Sequence, residues 1–274
     1  MPELPEVETV KETLKELVVG KQIAGCKVAW PKMVKHPDDA ELFCLDIKGQ
    51  TIRDVRRRGK FLKFILDDDV MLSHLRMEGR YGLFRSAEPV AAHTHALFTF
   101  TDGTELRYQD VRKFGTLHLF KKGTEEELPP LSGLGPEPLS ESFAADDLER
   151  QFRKTSRNVK TVLLDQRAVA GLGNIYVDEA LFRAGIMPDR PAAGLTKEEV
   201  EKLHLSIKNT LSEAVDKGGS TVRSYVNTQG KIGMFQLEHF VYARNGEPCR
   251  NCGKEIEKKT VGGRGTHYCP ACQE

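Results

Sequence analysis

Apolar positions recur every three or four residues at the start of the chain, where Val7, Val10, Leu14 and Leu17 share one helical face. Pro5 suits a first turn, Glu6 and Glu8 sit where the helix dipole favours anions, and Gly20 ends the pattern, so a helix is predicted within the first twenty residues. From Ile23 to Phe120 the period shortens. β-prone runs at Ile23 to Trp30, Thr51 to Val55, Phe61 to Leu66, Val70 to Leu75, Ala96 to Phe100 and Thr116 to Phe120 alternate with turn signals such as Lys48-Gly49, Asp67-Asp68-Asp69 and Asp102-Gly103. This predicts antiparallel strands in a sandwich and argues against a doubly wound fold. Helical periods return at 145–153, 159–165, 175–184 and 197–217, the last opening on Thr196 with Glu199 in the capping-box position. Pro129-Pro130, Gly133, Gly135, Pro136 and Pro138 lie between the two regimes and read as a connection. The expected architecture is α+β and multidomain: a β-sandwich with its helix over 1–123, a linker over 124–144, a helical domain over 145–238 and a C-terminal zinc-ribbon hairpin over 239–274. Residues 218–238, rich in Gly, Ser, Thr, Asn and Gln, are too long and polar for an ordinary connection and read as a functional loop.

Composition adds little until the charges are located. At 274 residues the chain can bury real apolar cores without disulfides, and it has no apolar run near the ~18 residues that cross a bilayer and no basic, apolar leader. A cytoplasmic protein without membrane association is therefore expected. Lys plus Arg number 41 against 40 Asp plus Glu, a balance that at face value argues against a polyanion partner. The signs are segregated, however: residues 53–63 carry six basic groups and one acidic, while 124–149 carry eight acidic groups and no Lys or Arg. Outside that acidic stretch the chain has an excess of +9, so nucleic acid returns as a candidate partner.

Four of the six cysteines form Cys249-x-x-Cys252 and Cys269-x-x-Cys272, with sixteen residues between the pairs, a zinc-ribbon spacing. Four soft thiolates in a tetrahedron suit one structural Zn²⁺ and leave no open position for catalysis. The alternative of two disulfides conflicts with the missing secretion signal. Cys26 and Cys44 lie in apolar contexts and read as buried free thiols. Between the zinc pairs, Gly262-Gly263-Arg264-Gly265 reads as the tip of a β-ribbon that brings Arg264 to a phosphate or a groove.

The N-terminus is chemically unusual. Removal of Met1 before the small Pro2 leaves a free secondary amine. With a pKa of roughly 7.7–8, a useful fraction of it is neutral and nucleophilic at physiological pH. Glu3 stands beside it as a candidate proton shuttle.

Pro2-Glu-Leu-Pro-Glu-Val-Glu8, Arg57-Arg-Gly-Lys60, Gly171-Leu-Gly-Asn-Ile-Tyr176 followed by Asp178-Glu179, and the ribbon ending Tyr268-Cys-Pro-Ala-Cys-Gln273 together resemble the bacterial formamidopyrimidine-DNA glycosylases over essentially the whole chain. The resemblance implies a β-sandwich, a helix–two-turn–helix domain and a zinc finger, with double-stranded DNA containing oxidised purines bound by a monomer. It implies excision of 8-oxoguanine and formamidopyrimidines, then strand cleavage by β- and δ-elimination. Pro2 would attack the sugar C1′ and form a Schiff base, Glu3 would act as general acid, Lys60 would donate a proton in β-elimination, and Arg264 would grip phosphate and take part in δ-elimination. A base must leave the stack to expose C1′, and Met77, Arg112 and Phe114 match the residues that fill the gap, Arg112 facing the orphaned cytosine. Phosphate contacts would come from His74, His93, Lys160 and Asn174, Asn174 also reading as a helix N-cap, and lesion contacts from Glu78, Ser220, Thr221 and Ser224. Localisation would be cytoplasmic and, through DNA, on the nucleoid.

Two positions depart from the family pattern: Ala243 stands where glycine is usual, and Lys231-Ile-Gly-Met-Phe235 is bulkier than expected. Two other readings use the same residues, an endonuclease VIII-like glycosylase for oxidised pyrimidines and a noncatalytic zinc-ribbon DNA-binding protein. The separated positions of Met77, Arg112 and Phe114 favour the purine enzyme over the first, and Pro2-Glu3 argues against the second.

Overall fold

The computed structural model describes residues 1–220 and 238–274. They form two compact units, Met1–Ser132 and a second running from Gly133 through Ser220 and from residue 238 to Glu274. Among the described residues no helix is long and apolar enough to cross a membrane.

The first unit opens with α1 (Leu4–Val18), which buries Val7, Val10, Leu14 and Val18. Two sheets follow. β2 (Val34–His36), β9 (Thr116–Lys121), β5 (Asp69–His74), β4 (Phe61–Ile65) and β3 (Asp54–Arg58) lie side by side in that order, antiparallel except for the β2–β9 pair. The other sheet has the order β1 (Ile23–Val28), β7 (Thr94–Phe100), β8 (Thr104–Gln109), β6 (Arg80–Arg85), all antiparallel. Phe64 and Met71 from one sheet and Phe98, Leu106 and Tyr108 from the other enter one core with α1, as expected of a sandwich.

Register decides what this unit can present. Phe61 pairs with His74 and His74 with Thr116 in the first sheet, while Arg80 and Thr94 both pair with Gln109 in the second. One end of the sandwich therefore gathers the turn before Phe61, which holds Lys60, and the connections 75–79 and 110–115.

The sequence pattern missed one element here, α2 (Ala40–Ile47), in an interval read as strands and turns. Its eight residues are too few to display a helical period, but Asp39 caps it, accepting the N–H groups of Glu41 and Leu42. The run expected at Thr51 to Val55 is also displaced: β3 begins at Asp54 and takes in the basic residues Arg56, Arg57 and Arg58.

That basic strand is not an open positive face. Arg53 pairs with Asp67 at 2.6 Å, Arg56 with Asp54 at 2.8 Å and Arg57 with Glu8 at 2.7 Å, while Lys63 reaches Glu125 at 3.1 Å and also Glu126. Part of the acidic stretch therefore neutralises the basic run within the same unit.

In the second unit α3 (Ala145–Phe152), α4 (Val159–Leu164), α5 (Asn174–Ala184) and α6 (Lys197–Asp216) fall where the apolar period places them. α6 carries the expected capping box: Glu199 N–H donates to the Thr196 hydroxyl at 3.2 Å and Thr196 N–H to the Glu199 carboxylate at 2.8 Å. α5 is buried on nearly every face and supports the C-terminal hairpin of β10 (Glu257–Val261) and β11 (Arg264–Tyr268). The two-residue turn between these strands puts Gly262 and Gly263 at φ 57° and 75°, the left-handed conformation that a type I′ hairpin demands.

Ala243, the first departure from the family pattern, sits at φ 61°. An alanine held left-handed is strained by roughly 1–2 kcal/mol, partly offset by the smaller entropy of an unfolded alanine. Ala243→Gly is accordingly expected to stabilise the protein by about 1 kcal/mol. A denaturation midpoint unchanged or lowered in that variant would contradict the strain.

Candidate functional site

Pro2 and Glu3 are buried at the head of α1, Glu3 only 3% exposed. Glu3 N–H donates to the Glu6 carboxylate at 2.8 Å, which fixes the chain just before Leu4 begins the helix. Lys60 is 5% exposed and follows Gly59, whose φ of 56° turns the chain between β3 and β4.

His74 ends β5 with its ring edge-on to Phe61, the centroids 4.6 Å apart. Its Nδ1 accepts the Arg76 N–H at 2.9 Å, so a neutral ring carries its proton on Nε2 as a donor. Burial, reinforced by the charges of Arg76 and Lys60 and by His118, pushes its pKa down to about 3. His118 is likewise pushed down to about 4, by burial and then by His36, Lys35 and Arg76. These rings take up protons more readily in the unfolded chain, near pH 6.5, than in the folded one. Their contribution is therefore complete above pH 6.5 and declines as pH falls toward 3–4. Between pH 7 and 5, before carboxylates titrate, His74 alone is expected to remove about 2 kcal/mol of stability. Urea midpoints that stay flat across that interval would show the rings to be protonated in the fold.

Met77 and Phe114 are 40% and 50% exposed, although ordinary side chains of their kind are buried. Arg112 is exposed as well, its guanidinium 4.8 Å above the Phe114 ring. Glu78 is exposed beside Met77, and His93 is exposed with φ 63°. Arg76 and Lys113, at φ 55° and 56°, flank these groups. Strained non-glycine residues thus cluster in the connections that carry the exposed apolar side chains.

The second unit holds the ribbon tip from beneath. Arg264 is exposed at the start of β11, and the carbonyl of the next residue, Gly265, accepts from Asn174 Nδ2 at 2.9 Å and from Lys160 Nζ at 3.3 Å. Lys160, expected at a phosphate, is wholly buried instead, with Nζ 2.5 Å from Asp178 Oδ1. Asp178 Oδ2 accepts the His267 N–H at 2.9 Å. Asn174 is also displaced from its reading as an N-cap: Gly173 is the cap and Asn174 the first residue of α5, its amide turned toward the ribbon.

The next residue of α5 does similar work. Glu179 accepts the N–H groups of Phe240, Val241 and Tyr242 at 2.8–3.0 Å. Asp178 and Glu179 were legible only as parts of a motif; a pair of acids inside a buried helix is the signal of such a role. Ser220 is 4% exposed, its Oγ 2.9 Å from His239 Nε2. Thr221, Ser224 and most of the loop 218–238, including Lys231 to Phe235, lie outside the described residues.

The sulfur atoms of Cys249, Cys252, Cys269 and Cys272 all lie within 4.8 Å of one another, with 3.9 Å between Cys249 and Cys272 and 3.5 Å between Cys252 and Cys269. Tetrahedral Zn–S bonds of about 2.3 Å set sulfurs about 3.8 Å apart, so these four are arranged to bind one metal ion. The group packs on α5 through Phe182, with Val241 and Ile256 completing a small core.

A sandwich, a buried helical domain and a four-cysteine ribbon in this order define a recognised class. The formamidopyrimidine-DNA glycosylase N-terminal domain family matches residues 1–117, the formamidopyrimidine-DNA glycosylase H2TH domain family matches 134–226, and the zinc finger found in FPG and IleRS matches 246–274. The chain belongs to the formamidopyrimidine-DNA glycosylase family. It is 62% identical over 273 residues to the formamidopyrimidine-DNA glycosylase of Cytobacillus firmus, with 100% of both chains covered. Of solved structures, a Lactococcus lactis FPG mutant in complex with a Fapy-dG containing DNA superposes with TM-score 0.94 at 41% identity, covering 100% of each chain. The Lactococcus lactis Fpg in complex with an abasic site containing DNA gives 0.93, also at 41% identity and with 99% of each chain covered.

Proposed function

We propose that this protein is a bifunctional DNA glycosylase and abasic-site lyase that removes oxidised purines, 8-oxoguanine and formamidopyrimidines, from double-stranded DNA. The observation that carries the reading is end-to-end similarity to enzymes of that name, with Pro2-Glu3 buried at the head of α1. The divisions at 1–123, 124–144, 145–238 and 239–274 follow from the same reading, as do action as a monomer and a cytoplasmic place of work on the nucleoid.

After loss of Met1, the neutral Pro2 nitrogen attacks C1′ of the damaged nucleotide and gives up its proton, and departure of the base is coupled to the ring opening that Glu3 assists. Glu3 protonates the sugar ring oxygen as the ring opens, leaving an iminium between Pro2 and C1′. The iminium acidifies C2′–H; the electron pair left when that proton departs passes through a C1′–C2′ enamine and expels the 3′ phosphate. A second elimination expels the 5′ phosphate. Lys60 moves a proton in the first elimination, and Arg264 steadies phosphate in the second. Met77, Arg112 and Phe114 occupy the space that the extruded nucleotide leaves, while His74, His93 and Asn174 contact the phosphate backbone. Lys160 acts one step back, through Asp178 and the carbonyl of Gly265, the residue that follows Arg264. Glu78, Ser220, Thr221 and Ser224 are the candidates for reading the lesion. Zinc on Cys249, Cys252, Cys269 and Cys272 supplies a structural cross-link and no chemistry.

Excision of 8-oxoguanine opposite cytosine, measured beside excision of thymine glycol, tests the substrate class. Removal of the pyrimidine alone would overturn it.

A further inference from the structure

Three exposed groups assigned to the gap, Met77, Arg112 and Phe114, come from two separate connections, and something must hold them in mutual register. We propose that Asp110 and Tyr108 are positioning residues that lock the two connections into one insertion element and thereby set discrimination of the base opposite the lesion. This rests on the functional reading above.

Asp110 is 1% exposed, directly after β8. One carboxylate oxygen accepts the Arg112 N–H at 3.0 Å; the other accepts the N–H groups of Phe114 and Gly115, each at 2.8 Å. Its main chain is tied down as well: the N–H donates to the His93 carbonyl at 3.0 Å, and the carbonyl lies 2.9 Å from His95 Nε2. The carboxylate thus holds both insertion residues of this connection by their backbones, on either side of the left-handed Lys113. It contacts neither side chain's working end.

Tyr108 joins this connection to the other. Its hydroxyl is buried, and a Cβ added at either Gly79 or Gly115 would overlap it. Gly115 closes the connection bearing Arg112 and Phe114. Gly79 closes the turn bearing Met77, through its N–H to the Leu75 carbonyl at 2.9 Å. Both turns therefore rest on one phenol, and only glycine permits the approach. Burial, with the neighbouring Tyr81 and the Asp110 carboxylate, pushes the phenol pKa up, so it remains neutral.

Ordering free backbone costs roughly 1–2 kcal/mol per residue. A connection already fixed in the free protein does not meet that cost when DNA arrives, and Arg112 is held where it can distinguish cytosine from adenine.

The test uses the full-length, zinc-loaded protein in single-turnover excision of 8-oxoguanine opposite cytosine and opposite adenine. Asp110→Asn keeps the shape but turns one acceptor into a donor, and is expected to slow excision opposite cytosine about tenfold and to narrow the cytosine-to-adenine ratio. The decisive comparison places Asp110→Asn in an Arg112→Ala background. There the extra slowing should largely disappear, because the residue to be positioned is gone. A wild-type rate and ratio for Asp110→Asn, or the same factor of slowing in both backgrounds, would overturn the positioning role. If Asp110→Asn does not fold, Tyr108→Phe, which deletes only the hydroxyl, carries the same cycle under the same criteria. Failure of the wild-type protein to excise would overturn the functional reading and this proposal with it; wild-type excision with an unaltered Asp110→Asn overturns the positioning role alone.

Discussion

Pro2→Gly is expected to lose at least about a hundredfold in borohydride trapping on a lesion-containing duplex, with DNA affinity retained. The variant still offers an amine, so the loss comes from geometry. The pyrrolidine ring fixes the direction of the nitrogen lone pair and its own buried contacts, whereas a glycine amine rotates freely and spends little time in line with C1′. Displacements on the order of 1 Å are enough for losses of that size. Glu3→Gln is expected to impair base release by roughly two to four orders of magnitude, the range for a general acid, because the amide N–H is far too weakly acidic to protonate the sugar. Trapping at the wild-type rate by Pro2→Gly would remove the amine from the mechanism, and normal excision by Glu3→Gln would remove the acid. Mass analysis of the N-terminus belongs with both measurements, since an intact Met1 blocks the nucleophile.

The second large effect concerns zinc. Cys249→Ser is expected to lose the metal and weaken duplex binding roughly a hundredfold, the size of one or two charge-assisted phosphate contacts. The hairpin has other supports, namely the small core on Phe182 and the bonds from Asp178, Lys160 and Asn174 to β11. Far-ultraviolet dichroism should therefore retain its helical signal while binding falls. Unchanged affinity after metal loss would make the ribbon peripheral to recognition.

Local rules made some of this architecture readable in advance. α6 is an example, since Thr196, Glu199 and a sustained apolar period act within a few residues of one another. The four zinc ligands are another, because the ion dictates their spacing. The basic run at 53–63 was legible as a charge pattern but misleading as a surface. Arg57 meets Glu8 and Lys63 meets Glu125 across long stretches of chain, and no local rule anticipates such pairings. Lys160 departs from expectation for the same reason: the resemblance sets it at a phosphate, whereas Asp178, one helix later, holds it in a buried ion pair. Met77 and Phe114 are the opposite case: the local pattern gives apolar side chains every reason to join a core, yet they stand 40% and 50% exposed, and only the resemblance singled them out.

The contacts of Ser220 with His239 and of Glu179 with residues 240–242 have an evolutionary corollary. A change at Ser220 is felt at once by His239, far along the chain, and a change at Glu179 by three backbone N–H groups together. Drift is therefore expected to be slower at Glu179, Ser220 and His239 than at exposed positions of the same unit, because each substitution there strands a buried partner.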